Sequence, residues 1–312
     1  MSASQERNIL SVWLREMRAP FFVASAVPVV VGSLAGFASS GRFDAVYFAM
    51  ALVGTVLLHA GANVANDYFD HRSGNDAANH NVSPFSGGSR VIQDGLLTPR
   101  AVLAGACALW AAGAAVGAAL AAMTRSALVA SLVAAGLAGG FFYSAPPMRL
   151  GYRGLGEVTV ALLFGVLSVA GAFTLQAGRF EWWALAPGAL SGVLVGCVLL
   201  INEFPDEEAD RAASKRTLVV ILGRERAARL FMIVLPSAWI AAALAAWGLP
   251  QMRAAGLLFL AAAPLMILTL KFASVELAKP SRHFAANALM ILLVVVAGLS
   301  LAVGFAISGL SL

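Results

Sequence analysis

The chain has 312 residues, of which 60% are hydrophobic and only 12% charged, and its mean hydropathy is +0.83. A soluble domain carries roughly a quarter charged residues, so the composition excludes an ordinary soluble protein and sets a membrane class before any motif is read. The formal net charge of +5 comes without a basic run interleaved with aromatics, which excludes nucleic acid as a partner.

Residues 5–18 place Ile9, Leu10, Val12, Trp13, Leu14 and Met17 among Arg7, Arg15, Glu16 and Arg18, the pattern of a short amphipathic helix lying in the membrane interface. No small-residue cleavage site accompanies it, so it is expected to stay uncleaved. The chain therefore divides into an interfacial segment, 1–18, and a membrane domain, 19–312.

A hydrocarbon core about 30 Å thick needs roughly 20 apolar residues per helix. Nine such runs follow, near 19–38, 45–66, 101–122, 126–144, 155–176, 183–203, 228–249, 254–270 and 285–309. They predict an all-α bundle of nine transmembrane helices. The fourth run is short and Gly-rich, and its aromatic end, Phe141, Phe142 and Tyr143, suits a cavity lining. Cys107 and Cys197 sit inside apolar runs with no second ligand at metal spacing and read as small packing residues.

With nine spans, the N-terminus and the loops after even-numbered spans share one side. That side holds 17 of the 21 Lys and Arg residues, and only Arg42, Arg125, Arg179 and Arg253 lie opposite. The positive-inside rule predicts a multi-pass protein of the inner membrane, embedded in lipid, with a cytoplasmic N-terminus and an outer C-terminus. The same side carries every acidic residue except Asp44 and Glu181, so the chemistry is expected at the cytoplasmic face.

Two acidic motifs stand there. The second run ends with Asn63, Asn66, Asp67 and Asp70, followed by His71, Arg72, Gly74, Asn75 and Asp76. Residues three and four apart share a helix face, so the first four converge. The sixth run ends with Asn202, Glu203, Phe204, Pro205, Asp206 and Asp210, and Asn202, Asp206 and Asp210 at i, i+4 and i+8 predict one ridge. An Asp at mid-bilayer costs about 2.5–3.5 kcal/mol on the insertion scale, so these acids must face a hydrated cavity or the interface. Crowded carboxylates repel unless a cation compensates, and an all-oxygen set suits Mg²⁺, which is held by one or two carboxylates plus substrate phosphates. Either motif alone reads as well as solvated helix-end acids. The pair points to a metal site.

These motifs resemble the UbiA superfamily of intramembrane prenyltransferases, from Arg18 to the final span. Asn66, Asp67 and Asp70 match the family's Asn-Asp-x-x-Asp, while Asn202, Asp206 and Asp210 match its Asn-x-x-x-Asp-x-x-x-Asp. The loop from Tyr143 to Glu157 and the stretch from Asp210 through Lys215 and Arg216 to Leu218 are also family-like. The resemblance implies transfer of a prenyl group from a polyprenyl diphosphate to an aromatic acceptor, with Mg²⁺ as cofactor. It assigns Asp67, Asp70 and Asp76 to one ion and Asp206 and Asp210 to a second, with Asn63, Asn66 and Asn202 as carbonyl ligands or orienting groups. Arg72, Arg149, Arg153, Lys215 and Arg216 are candidates for the diphosphate or an acceptor carboxylate, with Arg149 and Lys215 foremost. Tyr143 is a candidate to shield the allylic cation with its ring face.

Two departures stand out. Gly74 occupies the place of a third acid, which follows instead at Asp76, and Pro205 precedes Asp206 where many relatives carry Arg. The longer spacing, with Ser86, Gln93 and Gly95 beyond it, resembles the 1,4-dihydroxy-2-naphthoate prenyltransferases of menaquinone synthesis. The alternatives are another acceptor such as 4-hydroxybenzoate or, from a different class, an ion-coupled secondary transporter, whose acids belong at mid-membrane rather than at helix ends. A metal-diphosphate mechanism demands nothing of His71 or His80. His59, one turn before Asn63, faces either the cavity or a neighbouring helix.

Overall fold

The computed structural model describes residues 8–83, 85–277 and 284–310. Arg7, Lys279 and Arg282, counted in the charge asymmetry, lie outside the described residues, as do residues 5–7 of the expected interfacial helix.

Helix α1 (Ile9–Glu16) is capped by Asn8, whose Oδ1 accepts from the Leu10 amide at 3.0 Å. It exposes Ile9, Leu10 and Leu14 and buries Val12, as an interfacial helix should. Glu16 does not join its polar face as expected. It is fully buried and accepts a hydrogen bond from the Ser89 hydroxyl, and burial and the nearby Asp67 push it up to about 7.

The spans follow as α2 (Ala19–Ser40), α3 (Ala45–Ser73), α4 (Pro99–Thr124), α5 (Ala127–Ser144), α6 (Gly156–Ala177), α7 (Trp182–Glu203), α8 (Arg224–Gly248), α9 and α10 (Ala285–Leu310). The eighth span departs from the expected single helix. In α9, Pro250–Leu260 and Ala263–Glu276 meet at 52°, because Pro264, in the first turn of the second piece, has no amide to continue the first. Counting α9 as one bent span gives nine crossings among the described residues. Polar residues start the helices where periodicity predicts: Asp44 caps α3, Thr98 with Pro99 opens α4, and Ser126 caps α5. At 29 residues α3 is roughly 44 Å long, so its last turns protrude beyond the hydrocarbon.

The bundle is asymmetric. Helix α2 packs against α10 and the second half of α6, and α7 packs against α8 and α10. This half has an apolar core that includes Phe173, Phe231, Phe259 and Phe305. The other half, α3 with α4 and α5, leans on α2 and α6 and leaves a cavity between. Glycines bring α6 and α7 to backbone contact: a Cβ on Gly192 would meet the Ala161 carbonyl oxygen at 2.6 Å, and one on Gly188 would meet Val166 Cα at 3.1 Å. Opposite them α6 widens into a π-helical stretch, Ala161–Leu167, that turns Leu163 and Phe164 into the cavity.

Gly192→Val is therefore expected to lower the thermal midpoint of the detergent-solubilised protein by several degrees. Gly248→Ala, where a Cβ meets no atom within 4 Å, should leave it unchanged. Equal midpoints for the two variants in differential scanning fluorimetry would contradict the packing role of the α6–α7 contact.

Candidate active site

The cavity, about 290 Å³, is walled by α2 to α7. Its depth is apolar, with Met50, Leu58, Leu120, Leu132, Leu163 and Leu175, whereas Arg18, Asp70, Asp76, Asp206, Asp210 and Lys215 form its mouth. From Asp70 to Met50 along α3 is roughly 30 Å, nearly the hydrocarbon thickness. Phe85, Ser86, Gly87 and Gly88, from the loop between α3 and α4, also border it at the mouth.

Asn63, Asn66 and Asp70 all line the cavity. The Asn63 amide donates to the Met17 carbonyl at 3.0 Å and the Asn66 amide to Ser144 Oγ at 3.2 Å. Asp70 accepts from the Tyr152 hydroxyl and pairs with Lys215 Nζ at 2.9 Å. Asp67, expected as a ligand on the same wall, turns aside. It pairs with the Arg18 guanidinium and accepts the Ser89 amide at 2.8 Å, so its carboxylate holds Arg18 at the mouth and does not border the cavity.

The displaced third acid reaches the mouth by a turn. Gly74, at φ +80°, ends α3 in the left-handed conformation that glycine adopts freely. The short helix Asn75–Ala78 then folds back and buries Asn75 and Asp76 among the other acids. Gln93 Nε2 donates to Asp76 at 3.2 Å. Gly88 must lack a side chain, since a Cβ there would come within 2.7 Å of Asp76 Oδ1.

The second motif is not one continuous ridge. Helix α7 ends at Glu203, Pro205 has no amide to extend it, and a new helix, Glu207–Ala212, begins after Asp206. The three residues nevertheless share the cavity. Asp206 accepts from Asn79 Nδ2 at 2.7 Å and from the Gly87 amide at 3.2 Å, and Asp210 accepts from Asn75 Nδ2 at 2.8 Å. Asn202 Oδ1 accepts from Asn287 Nδ2 on α10 at 2.8 Å. Asn75 and Asn79 thus cross-link the two motifs.

Three arginines expected at the site, Arg72, Arg149 and Arg153, do not line the cavity. Arg72 is exposed and stacks on Tyr68, because two residues beyond Asp70 is roughly 200° around the helix. Arg149 lies over the Tyr152 ring, 5.1 Å from its centroid, and Arg153 is exposed and donates to the Pro147 carbonyl at 3.0 Å. None of the three borders the cavity, whereas Lys215 does. Tyr143 lines it too, its ring lying against Gly151, where a Cβ would come within 2.9 Å. Sequence reasoning missed Arg18 and Asn75, which line the mouth, and Asn79 and Tyr152, which hydrogen-bond its acids without lining it. Arg18 was counted only as a topology charge, although the resemblance begins at it, and the other three have no periodic signal.

Burial, then Asp70 and Asp67, push Asp76 up to about 8, and burial, then Asp210, push Asp206 up to about 7. Burial also raises Asp210, against the pull of Lys215. Burial works against the charges of Arg18 and Lys215, yet Asp67 with Asp76 and Asp70 with Asp210 hold both above their ordinary values. Asp67, Asp70, Asp76, Asp206 and Asp210 thus crowd together, and among the described residues only Arg18 and Lys215 form ion pairs with them. This surplus of negative charge calls for further cations. The donors are all oxygen, and no three acids converge on one point among the described residues. An ion here would take its remaining ligands from water and a phosphate-bearing substrate, the habit of Mg²⁺. The residues present fit that group.

The model of the UbiA prenyltransferase family matches residues 25–295. The chain is 31% identical over 270 residues to 1,4-dihydroxy-2-naphthoate octaprenyltransferase of Escherichia coli, covering 84% of this chain and 85% of that protein. It is 33% identical over 258 residues to the enzyme of the same name from Mycobacterium tuberculosis, covering 78% and 85%. Among solved structures, a UbiA homolog from Archaeoglobus fulgidus bound to GPP and Mg²⁺ superimposes with a TM-score of 0.71 at 17% identity, covering 96% of this chain and 100% of that one, and so shares the fold. With the helical bundle, the acidic mouth and these matches in agreement, the chain belongs to the UbiA prenyltransferase family, polytopic membrane enzymes that transfer prenyl groups.

Proposed function

We propose that the protein transfers the chain of a polyprenyl diphosphate to 1,4-dihydroxy-2-naphthoate in a Mg²⁺-dependent step of menaquinone synthesis, at a mouth facing the cytoplasm. The observation that carries this reading is the single cavity that joins a charged mouth to an apolar shaft of near-bilayer depth. A diphosphate fits the first and an isoprenoid the second, each buried CH₂ favouring hydrocarbon by about 0.8 kcal/mol. The E. coli and M. tuberculosis relatives, named for the naphthoate, support that acceptor over 4-hydroxybenzoate.

In this reading Asp70, Asp76, Asp206 and Asp210 hold Mg²⁺, and Asp67 acts through Arg18. Bound Mg²⁺ would compensate the charge that develops on the departing diphosphate. Lys215, aimed by Asp70 and Asp210, and Arg18, aimed by Asp67, present fixed cations to the same leaving group. The Phe85–Gly88 edge of the mouth shields the reacting carbon from water, and the face of Tyr143 borders the space below it.

Membranes containing the protein should transfer label from a polyprenyl diphosphate to the naphthoate only with Mg²⁺. Asp70→Ala and Asp206→Ala should each lower kcat by about 100-fold or more. Mg²⁺-independent transfer, or full activity in either variant, would overturn the site. Transfer to 4-hydroxybenzoate alone would overturn only the acceptor.

The raised acids predict a pH dependence. Without metal, Asp76 and Asp206 hold protons near neutrality, and ligation requires their carboxylates, so Mg²⁺ binding releases protons. The Mg²⁺ concentration for half-maximal rate should fall as pH rises from about 6 to about 8.5. For stability the sign is opposite. An acid whose folded pKa exceeds its unfolded value stabilises at low pH, so the metal-free protein should lose melting temperature as pH rises from about 4 and level off once it has passed about 7 and then about 8. Added Mg²⁺ should offset that loss. A half-saturating concentration independent of pH would contradict the assignment of these two acids.

Orientation is read from single cysteines in a Cys107→Ala, Cys197→Ala background. In inside-out vesicles, Asp94→Cys should react with an impermeant maleimide and Arg42→Cys should not. The reverse pattern would place the mouth outside.

A further inference from the structure

His59 has no part in the reading above. It lies on α3 one turn deeper than Asn63, roughly 16 Å below Asp70 along the axis. It is 7% exposed and borders the cavity. Its ring packs against Phe164 with centroids 4.5 Å apart and meets Phe22 edge-on at 5.6 Å. No carboxylate pairs with it among the described residues, so this enclosed imidazole is neutral.

Helix α2 decides which nitrogen carries the proton. The Ser25 hydroxyl has one proton and donates it to the Phe22 carbonyl at 2.9 Å, so its oxygen accepts from His59 Nδ1–H at 3.1 Å. The lone pair is thereby left on Nε2, which no protein donor reaches among the described residues. Asn63 is fixed in the same way. Its amide nitrogen is committed to the Met17 carbonyl, which leaves Oδ1 as a second acceptor one turn nearer the mouth.

We infer that the wall formed by α2, α3 and α6 is the subsite for the aromatic acceptor, and that His59 Nε2 accepts a hydrogen bond from the ring hydroxyl remote from the acceptor's carboxylate. This rests on the prenyl-transfer reading. The acceptor's carboxylate cannot be carried deep into the apolar shaft without a partner, so it stays beside the Arg18 guanidinium at the head of α2, which lines the cavity, and the far end of the ring points inward, toward His59. Phe164, brought into the cavity by the π-helical stretch, offers its face to a flat ring. The opposite wall, from α4 and α5, is apolar at this depth, with Gly113, Gly117, Leu132, Val133 and Gly136, and is left to the prenyl chain. His59 is on this account a substrate-binding residue that fixes the orientation of the ring.

The test uses full-length protein in lipid nanodiscs with Mg²⁺ and measures KM separately for the polyprenyl diphosphate and for the acceptor. The acceptors are 1,4-dihydroxy-2-naphthoate and its 4-O-methyl ether, which lacks the donor. Wild type should favour the free hydroxyl about tenfold or more in kcat/KM. His59→Leu should raise the acceptor KM by a similar factor, leave the diphosphate KM unchanged, and abolish the discrimination between hydroxyl and ether. His59→Gln, which restores an acceptor oxygen, should recover much of that discrimination. If His59→Leu still discriminates, or shifts both KM values together, the inference is overturned while the transferase reading stands. If wild type transfers to neither acceptor, the naphthoate reading and this subsite fall together.

Discussion

Five carboxylates gathered around the cavity mouth, with two cations between them, are the constraint on which the rest of the structure depends. These charges are too buried to be screened by water, so the chain pairs three of them directly, Asp67 on Arg18 and Asp70 and Asp210 on Lys215, and gives Asp76 and Asp206 hydrogen bonds from Gln93, Asn79 and the Gly87 amide. Removing one partner of a buried pair typically costs about 3–5 kcal/mol, because the survivor is left uncompensated. That cost explains why elements distant in sequence are drawn to one place. Arg18 comes from the turn after the interfacial helix, Ser89 and Gly87 from the loop before α4, Tyr152 from the loop before α6, and Lys215 from the segment before α8. Their common purpose is to satisfy acids that lipid would not tolerate.

The asymmetry of the bundle serves the same end. Glycine contacts between α6 and α7, and the aromatic core shared by α7 to α10, hold one half together largely by apolar packing. The hydrophobic effect supplies no net attraction between helices in lipid, so close backbone approach and dispersion must hold that half together. The other half can then stay apart from it and keep a cavity. The π-helical stretch lies between the halves: one side of α6 packs on α7 while Phe164 from the same stretch enters the cavity.

Most of the fold was legible because its signal is thermodynamically strong. Nine apolar runs and a lopsided distribution of Lys and Arg follow from the energetics of the bilayer, and the helices lie where those runs lie, even the short Gly-rich α5. The break in α9 was not legible, since Ala261, Ala262 and Pro264 sit inside an apolar run and only their geometry distinguishes a bend from a kinked span. At the site, helical spacing brought Asn63, Asn66 and Asp70 to the cavity but misjudged Asp67, whose direction depends on Arg18. It also expected Arg72, Arg149 and Arg153 at the site, whereas none of the three lines the cavity; positive charge at a membrane face is placed mostly by topology. His59 was ambiguous for a physical reason: it both bonds to α2 and borders the cavity, and no spacing rule separates those states.

The two departures from the family's pattern reveal how the mouth is built. Had α7 continued unbroken, the eight residues from Asn202 to Asp210 would have carried Asp210 roughly 12 Å farther along the axis, away from α3. Pro205 ends the helix, and the chain turns at Asp206 so that Asp210 meets Asn75. Had α3 continued past Ser73, Asp76 would lie about 9 Å beyond Asp70. Gly74 turns the chain and returns Asp76 to its neighbours. Both acids therefore reach the mouth because a helix stops before them, and Asn75 and Asn79, which lie just past the first stop, tie the two ends together. Helical periodicity describes such a site only up to its breaks, so the residues that cause the breaks belong to the site as fully as the carboxylates they position.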